Sequence, residues 1–135
     1  MDKLLVDTNI VSYLMKRHPI SELYLPHLKD MVLCLSFVTI GELYLGAEKG
    51  NWGDKRKNEL EEKLKNYVVL PYDKVVADCY ARTVIGVQRQ KLSISFPDAW
   101  IAATALAFKL PLVTHNGKHF IHVPNLRVIT EAPQA

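Results

Sequence analysis

Lys3-Leu4-Leu5-Val6-Asp7-Thr8-Asn9-Ile10 decides the architecture: an apolar run of strand type ends in an acid, and a helical pattern begins behind it. Leu4 to Asp7 reads as a buried strand and Thr8 to Lys16 as a helix ended by His18-Pro19. The same alternation continues outward. Ile20 to Leu28 reads as a short helix, Met31 to Ser36 as a second strand, and Thr39 to Lys49 as a helix stopped at Gly50. Asp54 to Tyr67 is helical, with Leu60 and Leu64 on one face, and Val68 to Leu70 is a third strand before Pro71. Asp73 caps a long helix reaching Lys91, with Val76, Cys79, Tyr80, Thr83 and Val87 at helical spacing. Pro97 to Lys109 is a nearly all-apolar helix, hence buried on most sides. Leu110 to Thr114 and Leu126 to Ile129 complete five strands. Strands alternating with helices predict a three-layer α/β/α fold on a parallel five-stranded sheet, one domain over residues 1–135.

Composition narrows the class without naming a function. A chain of 135 residues, 49% hydrophobic and 23% charged, is large enough to build a core without staples. The formal charge of +3 permits a nucleic-acid partner but is no polybasic signature. No apolar run approaches the roughly 20 residues of a bilayer span. Met1 to Asp7 moves straight into a strand, with no basic stretch followed by an apolar stretch and a cleavage site. A cytoplasmic protein without membrane attachment is the expectation. Cys34 and Cys79 have no metal-type spacing and read as small buried hydrophobes.

Three acids stand where strands give way to helices. Asp7 follows the first strand, Glu42 comes shortly after the second, and Asp98 opens the apolar helix before the fourth. The carboxyl ends of parallel strands share one edge, where ligands bind, so these residues converge although distant in sequence. Converging carboxylates repel one another unless a hard cation holds them, and oxygen-only clusters suit Mg²⁺ or Mn²⁺. Each acid also has a purely structural alternative. Asp7 is placed to cap the first helix. Thr39-Ile40-Gly41-Glu42 and Ser95-Phe96-Pro97-Asp98 both fit a capping box. The two readings are compatible, because a helix N-terminus favours anions.

Four segments in order resemble the PIN-domain ribonucleases, and among them the VapC-type toxins of bacterial toxin–antitoxin pairs. They are Leu5-Val6-Asp7-Thr8-Asn9-Ile10, Ser36 to Gly46 around Glu42, Asp98-Ala99-Trp100-Ile101-Ala102-Ala103-Thr104-Ala105, and Val113-Thr114-His115-Asn116 to Phe120. The resemblance runs from Leu4 to about Ile129. It implies a PIN-like fold, with Asp7, Glu42 and Asp98 as the metal-binding acids and Thr8 as a supporting hydroxyl. The family's fourth acidic position corresponds to Asn116, a catalytic-site candidate without charge, and His119 stands where many relatives have another acid. Both departures bear on a second ion and leave three acids for one, so the count of one or two ions stays open.

The implied activity is a Mg²⁺- or Mn²⁺-dependent endoribonuclease acting on RNA phosphodiesters. The implied partners are an RNA substrate and a small antitoxin protein occupying the active-site cleft, with a homodimer as the family's usual state. Ile10, Tyr13, Leu14, Leu23, Tyr24, Leu43, Tyr44 and Leu45 are the apolar candidates for receiving the antitoxin. The alternative is a non-catalytic PIN-like module binding RNA or protein, which would have no reason to keep all three acids. A haloacid-dehalogenase-like phosphatase wants an acid two residues after Asp7, and position 9 is Asn. Lys16, Arg17, Lys49, Arg82, Arg89 and Lys118 are available to follow an RNA backbone. His115, His119 and His122 cluster after the fourth strand and read as solvated or structural, since metal activation makes a His base unnecessary. Asp54 to Lys65 reads as a wet helix face, and Trp100 as packing within a buried helix.

Overall fold

A computed structural model describes residues 2–133. Its elements run β1 (Lys3–Val6), α1 (Thr8–Lys16), α2 (Ser21–Leu28), β2 (Val32–Ser36), α3 (Phe37–Lys49), α4 (Asp54–Leu64), β3 (Val68–Leu70), α5 (Lys74–Gln88), α6 (Phe96–Phe108), β4 (Leu112–Val113), a single helical turn (Gly117–His119) and β5 (Val128–Ile129). The five strands form one sheet in the order β3-β2-β1-β4-β5, every neighbouring pair parallel. The expected fold class is what the chain adopts.

β1 is the central strand, and its alternation builds two cores. Leu4 and Val6 face one side, where Ile10 and Val11 of α1, Tyr24 and Leu28 of α2, and Leu60 and Leu64 of α4 close over them. Leu5 faces the other side, with Cys34, Leu112, Val87 of α5, and Ile101, Ala102 and Ala105 of α6. A strand buried on both faces must be apolar throughout, which is why Leu4-Leu5-Val6 shows no polar alternation. The alanines of α6 let that helix approach the sheet and α5 closely, and Ala99, Ala102, Ala103 and Ala105 are almost fully buried. Both layers are therefore fixed by the residues around one strand.

Some boundaries differ from the sequence reading. α4 ends at Leu64 rather than Tyr67, α5 ends at Gln88 rather than Lys91, and β4 and β5 each keep two residues. β4 is short because only Leu112 and Val113 pair on both sides, with β1 and with β5. Gly50 does end α3, but at φ −83° rather than in a left-handed conformation. Room, not dihedral freedom, requires glycine there: a Cβ would lie 2.8 Å from Trp52 Nε1. Trp100 is half-buried rather than packed inside α6. It stacks on Tyr80 of α5 with centroids 4.0 Å apart and on Tyr72 at 5.1 Å. No helix among the described residues is long and apolar enough to cross a membrane.

Candidate active site

Asp7 sits at the carboxyl end of β1, beside the point where the strand order reverses. It is the N-cap of α1, its Oδ1 accepting from Thr8 N at 2.7 Å. Its Oδ2 accepts from Thr114 Oγ1 at 2.7 Å and from Asn9 Nδ2 at 3.3 Å. Only 5% of Asp7 is exposed. Burial pushes its pKa up to about 6, against the hydrogen bonds from Thr114 and Thr8 that lower it, and the charges of Asp98 and Glu42 add to the rise. Capping and clustering thus occur at one side chain.

Glu42 lies on α3, where Thr8 Oγ1 donates to its Oε1 at 2.6 Å. A capping box led by Thr39 is not what forms. Ser36 caps α3, its Oγ accepting from Val38 N at 3.2 Å, which places Thr39 inside the helix. The buried Thr39 hydroxyl meets Thr8 Oγ1 at 3.0 Å instead. Ser95 does cap α6, accepting from Asp98 N at 3.4 Å, with Pro97 in the first turn. Asp98 Oδ2 lies 3.2 Å from His119 Nδ1. His119 and Asp98 are 21 residues apart in the chain, and only the fold brings them together.

Asn116 is exposed, and its backbone N–H donates to Thr114 Oγ1 at 3.0 Å, one hydroxyl away from Asp7. Its φ is −107°, and Gly117 has no positive φ, so a turn needing left-handed residues is not the reason for Asn116-Gly117. Gly117 is held to glycine by Thr130, whose Cγ2 would lie 2.7 Å from a Cβ. His115 Nδ1 is 2.6 Å from Tyr24 OH, and Asn9 Oδ1 accepts from His115 N at 3.1 Å. These contacts tie His115 to α1 and α2. The contacts of Asn9 and Thr114 with Asp7, and of Thr39 with Thr8, are ones the sequence reading did not assign. Each of the three is a polar residue at or just beyond a strand's carboxyl end, and that position was the available signal.

Of the apolar candidates on α1 to α3, Ile10 and Tyr24 are fully buried in the core, and Leu14 and Leu43 pack against it. Leu23, Tyr44 and Leu45 are exposed. Next to Thr8 and Glu42, a cleft of about 340 Å³ runs between α1, α3 and α4, with Met15, Leu43, Trp52 and Arg56 among its walls.

Among the described residues, no group of three or more His, Cys, Asp or Glu side chains is gathered as a metal-holding set. The donor chemistry nevertheless fits a hard divalent ion. Asp7 is buried, acceptor-only when ionised, and raised in part by two further carboxylates, an anionic excess that oxygen-loving Mg²⁺ or Mn²⁺ offsets.

The PIN domain family matches residues 4–126. This chain belongs to the PIN-domain family. Relatives extend over nearly its whole length. It is 33% identical over 127 residues to ribonuclease VapC2 of Haemophilus influenzae, covering 94% of this chain and 96% of that protein. It is 32% identical, with the same coverage, to the tRNA(fMet)-specific endonuclease VapC of Shigella flexneri. Among solved structures, VapBC2 from Rickettsia felis bound to a promoter DNA fragment superposes with a TM-score of 0.82 at 26% identity, covering 94% of this chain and 97% of that one. VapBC-1 from nontypeable H. influenzae gives 0.79 at 31% identity, covering 94% and 96%. Within the PIN family the chain is a VapC-type ribonuclease toxin of a type II toxin–antitoxin system. PIN nucleases are generally metal-dependent.

Proposed function

We propose that Asp7, Glu42 and Asp98 hold one Mg²⁺ or Mn²⁺ ion and that the protein uses it, with Asn116 at the rim, to hydrolyse RNA phosphodiesters in the cytoplasm. The observation behind this reading is Asp7: a buried carboxyl raised to about 6, with Asp98 and Glu42 adding to the rise. When bound, the cation supplies Lewis acidity towards the phosphate and acidifies a water molecule. The chain's own residues supply order. Thr8 fixes one Glu42 oxygen, Thr114 and Asn9 fix Asp7 Oδ2, and His119 pairs with Asp98 Oδ2. A carboxylate held by such partners arrives at its ligand already oriented. The test is cleavage of RNA with Mg²⁺ or Mn²⁺ and with EDTA, for wild type and Asp98→Asn. Cleavage in chelator would overturn the three-acid mechanism. Intact acids weigh against a purely binding PIN-like module.

The antitoxin belongs in the cleft between α1, α3 and α4, because that cleft shares Thr8 and Glu42 with the acids and has apolar walls at Met15, Leu43 and Trp52. A segment seated there excludes RNA from the site. A toxin–antitoxin complex from Klebsiella pneumoniae is among the similar solved structures, which supports an antitoxin partner. Co-expression with the small protein encoded beside it should restore growth, and Leu43→Asp should weaken the complex. For the homodimer, the surface is the aromatic strip of Phe37, Tyr72, Trp100, Tyr80 and Phe96, with Phe37 60% and Phe96 67% exposed. Contiguous apolar surface of this sort marks protein contacts. Sedimentation of Phe96→Asp as a monomer, against a wild-type dimer, tests it.

A further inference from the structure

A second cleft, of about 370 Å³, has Asp98 in its lining. One wall is the segment between α5 and α6, with Ser93 and Ser95; the other is the turn after β4 and its continuation, with Lys118, His119 and His122. Leu92 and Ile94 give the first wall an apolar part. Its volume lies within the roughly 300–1,000 Å³ of small-ligand sites. Against the single carboxylate of Asp98, already paired with His119, stand one ammonium and two imidazoles. Lys118 and His122 are exposed, so their donors are available to a ligand.

The walls are tied in place. Phe120, between Lys118 and His122, is 1% exposed and belongs to the core. Gln90 Nε2 donates to His122 O at 2.8 Å and to Gly86 O at 2.9 Å, joining the end of α5 to the other wall. These ties hold the backbone of both walls in place, which lowers the ordering cost of binding.

We propose that this cleft is a subsite for the nucleotide adjoining the scissile bond of single-stranded RNA. Lys118 and His122 contact its phosphate, Ser93 and Ser95 offer hydroxyls to phosphate or ribose, and Leu92 and Ile94 receive the apolar face of sugar or base. Lys gives a point charge and an imidazole N–H gives a directed donor, both suited to phosphate oxygens. The inference rests on the ribonuclease activity of the family and adds to it the track that the RNA follows past Asp98. The α1–α3–α4 cleft contains Glu42 and the second cleft contains Asp98, so each of the two borders one of the candidate acids.

The experiment measures binding of a short fluorescein-labelled single-stranded RNA of mixed sequence, in EDTA, across a salt series. Lys118→Gln with His122→Asn should raise the dissociation constant by about tenfold and reduce the salt slope by about one. Lys118→Arg should bind as wild type. Arg127→Gln, at the opposite end of the sheet, should also bind as wild type. An unchanged constant and slope in the double variant would overturn the proposal, as would an equal loss in Arg127→Gln. In cleavage with Mn²⁺ the double variant should show the loss in KM more than in kcat. Binding is read without catalysis, so a failed nuclease reading appears only in the cleavage assay and a failed subsite appears in the binding assay.

Discussion

Thr8 Oγ1 donates to Glu42 Oε1 at 2.6 Å, bridging the first turn of α1 to the second turn of α3. The same oxygen meets the buried Thr39 hydroxyl at 3.0 Å. A hydroxyl has one proton to give, so the carboxylate takes it and Thr39 becomes the donor in the second bond. The chain Thr39–Thr8–Glu42 therefore orients an acid through two hydroxyls.

Thr8→Val keeps the shape and removes that donor. RNA cleavage should fall about 10- to 100-fold, the usual effect of losing a residue that orients a ligand. Stability should fall by about 1–2 kcal/mol, because Thr39 is left without its partner. Thr8→Ser should recover most of both. Steady-state cleavage and thermal melting check this, and an unchanged kcat in Thr8→Val would remove Thr8 from the site.

Asp7 makes the metal-free protein sensitive to pH in a defined direction. Its folded pKa is about 6 against an ordinary 3.8, so between these values the folded state binds more proton than the unfolded state. Stability from this group is then present below about pH 4 and lost as pH rises through 6, by roughly 3 kcal/mol. Asp7→Asn keeps a good N-cap and removes the charge. In EDTA it should melt higher than wild type above pH 6 while cutting no RNA. A lower melting temperature throughout would mean that capping by the carboxylate outweighs relief of repulsion.

Glu42→Gln and Asp98→Asn each remove one anionic oxygen from the cluster, and either change should abolish cleavage. Expressed alone in bacteria, wild type should arrest growth and these variants should not. Calorimetric titration with Mn²⁺ should show affinity lost in both, since a hard cation binds by the charge and number of its oxygen ligands. Retained Mn²⁺ affinity in Asp98→Asn would exclude that side chain from the ion.

Asn116→Asp adds a carboxylate on a residue whose backbone N–H shares the Thr114 hydroxyl with Asp7. Mn²⁺ affinity should rise, and Asn116→Ala should reduce cleavage less than any change at Asp7, Glu42 or Asp98. If the Mn²⁺ dissociation constant is the same in both variants, Asn116 lies outside the ion's reach.

The sequence by itself determined the layers and the parallel sheet. Leu4-Leu5-Val6 had to be a strand covered on both faces, and parallel strands bring their carboxyl ends to one edge, so Asp7, Glu42 and Asp98 were legible as candidates for one site. Local signals of this kind depend on neighbours a few residues away. The tertiary structure decided what each acid touches. Thr39 looked like a helix cap and proved to be a buried link to Thr8, because Ser36 took the cap and shifted the helix start to Phe37. Thr114 and Asn9 lie in segments that resemble the PIN family, yet no spacing shows that they hold Asp7; they do so because β4 pairs beside β1 across more than a hundred residues of chain. His119 meets Asp98 only when the turn after β4 folds against the start of α6. Hydrogen bonds between side chains need positions fixed to a few tenths of an ångström, and strand pairing and core packing, not residue spacing, supply that precision.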